Sequence, residues 1–147
     1  ADLNAEKGSS QLTVKDLDTV EKYADKLYKS LGVDVEFTRH FLDRVNDARN
    51  IKQITIAELI RLFKQSYKKY GKEIPKLGND AQAVLNDIKT DINMPFVLKW
   101  DGKKFELIAK TIMRKKDFKT SNKKLSFEEN QPKRILRLAK SFKRKYD

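Results

Sequence analysis

The chain holds a single histidine, followed four residues later by an arginine, within Phe37-Thr38-Arg39-His40-Phe41-Leu42-Asp43-Arg44-Val45. Phe41, Leu42 and Val45 recur at helical spacing, which sets His40 and Arg44 on one face. An imidazole trades a proton near neutral pH, and a guanidinium is permanently charged and shaped to grip a phosphate. Side by side they could cut RNA. Each also has a plainer reading, since a lone histidine serves more often in packing than in catalysis, and Arg44 can pair with Asp43 or Asp47.

The 147 residues suit one domain, long enough to bury a core without staples. The absence of cysteine excludes a disulfide framework and a thiolate metal site. With one histidine and no dense carboxylate cluster, no metal site and no cofactor are expected. No apolar run approaches the roughly twenty residues that span a bilayer. Ala1 stands first without a methionine or a signal-like apolar segment, as at a fragment boundary or a processed end, so secretion through a signal peptide is not expected.

Lys and Arg number 33 against 21 Asp and Glu, a formal charge of +12. From Arg114 onward there are thirteen basic and four acidic residues, so three quarters of the excess lies in the last quarter of the chain. Such a field favours a polyanion, most simply the backbone of DNA or RNA. A solubilising tail, or one that meets an acidic protein, would carry the same charge.

The elements that must hold these groups are legible. Residues 1–12 read as a polar leader, 13–128 as a single domain and 129–147 as a basic amphipathic helix. Thr13 and Asp16 resemble a capping box, followed by Val14, Leu17, Val20, Ala24, Leu27 and Leu31 at helical spacing and by Gly32 as the stop. Val33, Val35 and Phe37 alternate with acids, as in a short strand or an extended entry into the histidine segment. Thr55 and Glu58 open a second long helix with Ile56, Leu59, Ile60, Phe63, Tyr67 and Tyr70 inward. Residues 72–79 read as a loop, and Ala81 to Ile92 as a third helix through Val84, Leu85 and Ile88. Asp101-Gly102 between two strand-like runs signals a hairpin, with Phe105, Leu107, Ala109, Thr111 and Met113 on one face of the second run. A further strand is expected within Phe118 to Phe127. Pro132 opens the last helix, with Ile135, Leu138, Ala139 and Phe142 between cations. Helices first and strands later predict an α+β fold with a mostly antiparallel sheet. No internal repeat and no Gly-rich phosphate loop is present.

The segment Thr38-Arg39-His40-Phe41-Leu42-Asp43-Arg44, then Arg49, then the capped helix at Thr55-Ile56-Ala57-Glu58-Leu59 and a basic hairpin, resembles the RelE/barnase-like superfamily of small metal-independent ribonucleases. The likeness is nearest the compact forms found in bacteriophage and mobile-element proteins. Separately, Val14 to Thr120 resembles proteins of large contractile-tailed phages, above all at Asn93-Met94-Pro95-Phe96 and Lys110-Thr111-Ile112-Met113-Arg114-Lys115-Lys116. Some head proteins of such phages are trimmed by a prohead protease, which would suit Ala1 and a location in the virion or the host cytoplasm.

The nuclease resemblance implies that His40 is the acid-base group and Arg44 the helix arginine, with Lys110, Arg114 and Lys116 matching only as basic groups on or after the late strands. In that mechanism a ribose 2′-oxygen attacks the adjacent phosphorus, giving a 2′,3′-cyclic phosphate and a 5′-hydroxyl. A second acid-base partner is not evident; Glu106, Tyr67 and Tyr70 are candidates. Backbone contacts are expected from Arg39, Arg49, Lys115, Lys116, Lys133, Arg134, Arg137, Lys140, Lys143 and Arg144. Trp100, Tyr67 and Tyr70 could stack on bases or belong to the core. The leading expectation is a basic virion-associated protein that binds nucleic acid or another phage structural protein without catalysis, because its signs are spread along the chain, and the metal-independent ribonuclease using His40 and Arg44 is the alternative.

Overall fold

The computed structural model describes residues 10–128, so the leader through residue 9 and the expected C-terminal helix lie outside the described residues. Two long helices are set by their caps. Thr13 opens α1 (Val14–Tyr28) and Thr55 opens α3 (Ile56–Tyr70), each in a reciprocal capping box, with Asp16 and Glu58 reaching back to the cap amides. Between them lie β1 (Val33–Phe37) and a short helix, α2 (Phe41–Val45). Gly32, at φ 72°, takes the left-handed turn that sends the chain from α1 into β1. Val14 is exposed, and the buried stripe of α1 is Leu17, Val20, Ala24 and Tyr28. Leu12, expected in the loose leader, is buried and is clamped at both backbone groups by the Asn46 amide.

Five strands follow or flank the helices: β2 (Gln82–Asp87), β3 (Ile92–Trp100), β4 (Phe105–Ala109), β5 (Met113–Arg114) and β6 (Lys123–Phe127). The sheet runs β1-β4-β3-β2-β6, with β5 on the far end of β3. It is mixed rather than mostly antiparallel, because both outer strands, β1 and β6, run parallel to their neighbours β4 and β2. The antiparallel pairs occupy the centre, where the hairpin at Asp101-Gly102 joins β3 to β4.

The helix expected over Ala81 to Ile92 is instead strand β2 and a turn. From Ala83 to Asp87 every residue is buried, so both faces of the strand are covered. A strand covered on both faces reads as a continuous apolar run, which periodicity cannot tell from a buried helix. The alternation read from Lys103 to Arg114 also breaks: β4 ends at Ala109, and Ile112 rather than Thr111 turns inward.

Helices α1 and α3 pack together on the sheet, burying Tyr28, Phe41, Phe63, Phe96 and Phe127 completely. The Tyr28 hydroxyl donates to the Phe63 carbonyl at 3.2 Å, which satisfies the one polar atom of that buried ring. Side chains from these helices also occupy groups on the sheet edges. On β1 the Val35 amide donates to Asp25 of α1 at 2.6 Å, and on β6 the Ser126 carbonyl accepts from Tyr70 and Lys69 of α3.

Candidate nucleic-acid cleft

His40, Arg44, Lys110 and Arg114 line one cleft of 1050 Å³, with walls from the start of α2, the turn after it, and residues 110–116. The meeting has a local cause. Thr38 donates its amide to the Ala109 carbonyl and its hydroxyl to the Lys110 carbonyl at 2.8 Å, pinning the turn that carries His40 to the end of β4. His40 is not inside the helix; it is the residue before α2, and its carbonyl accepts the Arg44 amide, so the four-residue spacing still stacks the two side chains on one side.

The opposite wall is set by two buried asparagines. Asn50, 3% exposed, donates to the carbonyls of Arg44 and Val45 and accepts the Arg114 amide at 2.8 Å, joining α2 to β5. Asn93, fully buried, donates to the carbonyls of Asp91, Met113 and Lys115, and is itself bonded to Asn86, which holds the Ser126 hydroxyl. A chain of satisfied amides thus runs from β6 to the strand bearing the cleft cations.

Seven Lys and Arg side chains face two carboxylates, Asp47 and Asp91, around this cleft. Within the described residues, the side chains of His40, Lys110, Lys115 and Lys116 make no hydrogen bond or ion pair. Arg44 is about half exposed and only 3.7 Å from Asp47, a surface pair that leaves its fork open to an anion. Arg49 grips Asp47 more tightly, at 2.8 Å, and that side-chain bond together with the Arg49 amide pulls the Asp47 carboxyl down to about 2. So depressed, Asp47 is a poor base.

Arg114 lines the same cleft but its fork is occupied. Its guanidinium donates to both Glu58 oxygens and to the carbonyls of Lys52, Gln53 and Thr90. It therefore ties α3, the turn before it and the β2–β3 connection together, and has no donor left for a phosphate. Glu58 responds: burial raises its pKa, yet the Arg114 bonds and the Thr55 amide outweigh burial and hold it below the usual carboxylate range. The acid of the α3 capping box and the arginine of β5 are one structural unit.

Other expected site residues fall elsewhere. Arg39 is exposed but is not part of the cleft lining, whereas Arg49, Lys115 and Lys116 are. Glu106 sits on β4 near Glu36, Tyr67 is bonded to Ser30, and Tyr70 to Ser126, so none of the three candidate partners reaches His40. Trp100 is half exposed at the end of β3, edge-on to Phe105. Lys133, Arg134, Arg137, Lys140, Lys143 and Arg144 lie outside the described residues. Asn50, Ile51, Lys52 and Asp91 line the cleft without having been singled out from the sequence. The local signal for the first three was the polar run Asn46-Asp47 with Arg49-Asn50, a turn signature, and nothing so local marked Asp91.

Set against protein-family models, curated proteins and solved structures, the chain matches none of them.

Proposed function

We propose that this cleft binds RNA and cleaves it without a metal, by the transesterification that the RelE/barnase-like resemblance suggested. One observation carries the reading: His40 and Arg44, from one stretch of chain, and Lys110, from another about seventy residues on, line a single strongly basic cleft. His40 takes the proton of the 2′-hydroxyl as that oxygen bonds to phosphorus. The bond to the 5′ oxygen breaks, and the Lys110 ammonium gives that oxygen its proton. Arg44 holds the phosphoryl oxygens as their charge grows. Solvent then resets both groups.

The test is cleavage of a labelled single-stranded RNA in EDTA, with the ends of the products analysed. A cyclic phosphate is expected, and His40→Ala should slow the reaction about a hundredfold or more while leaving binding nearly unchanged. Arg44→Lys should also slow it, because the planar fork is lost though the charge is kept. If no RNA is cut, or if His40→Ala cuts as fast as the parent, His40 is not the acid-base group.

A second reading draws support from the occupied fork of Arg114, which removes one of the four expected catalytic groups. In it the cleft grips a nucleic-acid backbone without chemistry, as in a basic component of a phage particle. Binding of uncleaved RNA by both the parent and His40→Ala would favour this reading.

A further inference from the structure

Ile51 is 96% exposed, and it lies on the rim of the cleft between Asn50 and Lys52. Its backbone is at φ 66° and ψ −59°, a γ-turn closed by the Lys52 amide on the Asn50 carbonyl at 2.6 Å. Side chains with a branched Cβ resist positive φ more than any others, and among the described residues the other non-glycines there are three aspartates. A strained backbone persists only when its surroundings hold it. Here they do so from both sides: the buried Asn50 amide anchors the preceding residue to α2 and β5, while the Arg114 guanidinium binds the carbonyls of Lys52 and Gln53 after it.

The result is a large apolar side chain held out into solvent, with nothing among the described residues to bury it, beside Arg49 and Lys52 and at the mouth of a cleft rich in free cations. Cations and an apolar contact together suit a strand whose phosphates are charged and whose bases are open. In a duplex the bases are stacked and covered. From this we infer that Ile51 packs against an unstacked base, so that the cleft takes single-stranded RNA and discriminates against duplex. The inference rests on the proposal that the cleft binds RNA.

The experiment measures binding by fluorescence anisotropy at low salt. The probes are a labelled 12-nucleotide 2′-O-methyl RNA, which cannot undergo 2′-oxygen attack, and the same strand annealed to its complement. The parent should prefer the single strand. Ile51→Ala and Ile51→Gly should weaken single-strand binding about fivefold or more, toward the scale of one lost base contact, and change duplex binding by less than about twofold. Ile51→Trp should restore or tighten it. Ile51→Gly should melt no lower than the parent, since glycine accepts this φ; loss of binding without loss of stability is not what a merely structural residue would show. If both small variants bind the single strand as the parent does while Lys110→Ala weakens it, Ile51 makes no base contact and the inference fails alone. If neither the parent nor any variant binds either probe, the RNA reading fails with it.

Discussion

Arg114 and Glu58 show how a residue chosen for chemistry can belong to the frame. Their side chains are only 13% and 16% exposed, and Arg114→Met would strand the Glu58 carboxylate and several carbonyls together. Removing one partner of such a pair should lower the unfolding free energy by about 3–5 kcal/mol in denaturant melts. An arginine that only bound phosphate would instead leave stability nearly intact and weaken RNA binding. Because the folded-state pKa of Glu58 is depressed, its contribution is fully present above the usual glutamate value of 4.5 and is lost as pH falls through the depressed value. Glu58→Gln should therefore flatten that part of the acid unfolding curve. Glu36 carries the opposite sign. Its desolvation, with Glu106, Asp34 and Asp25 nearby, raises its pKa, so its ionised form costs stability at neutral pH. Glu36→Gln should melt higher at pH 7, and this advantage should fade as pH falls through the raised value and vanish below about 4.5.

At the scale of elements, the site depends on how a five-residue helix is held against the end of β4. Thr38→Val removes the hydroxyl bond to the Lys110 carbonyl and little else. Stability should fall by about 1 kcal/mol and, if the cleft cleaves RNA as proposed, kcat should fall further than binding does, because the turn carrying His40 is no longer pinned to the end of β4. Phe63 of α3 is fully buried, edge-on to Tyr28 and Phe37. Phe63→Ala should cost about 3–5 kcal/mol, and a loss below about 1 kcal/mol would mean that α3 is not packed on Tyr28 as described. These helices were readable from sequence because caps and stripes are local: Thr13 with Asp16 and Thr55 with Glu58 each act within one turn. Strand β2 was not, because its burial depends on β3, β6 and α3, which periodicity within β2 does not contain.

For the whole molecule the expected signature is electrostatic. If phosphates are neutralised by the cleft cations and by the basic residues after position 128, the logarithm of affinity should fall linearly with the logarithm of salt concentration. Deleting residues 132–147 should make that slope shallower and leave the melting temperature nearly unchanged, since the described core closes between Leu12 and Phe127. An affinity indifferent to salt would count against backbone binding altogether.

Residue types and short spacings determined the chemistry available: one histidine, a four-residue step to an arginine, a net positive charge and no cysteine. They also determined α1, α3, β1 and the hairpin, because capping, periodicity and turn residues act over a few positions. Tertiary structure alone decided which cations share a cleft, that Arg114 is bound to Glu58, and that Ile51 stands exposed in a strained turn. Those outcomes rest on Asn50, Asn93 and Thr38 bonding to backbone 64, 20 and 72 residues away, and hydrogen bonds between groups so distant in sequence leave no periodic mark on it.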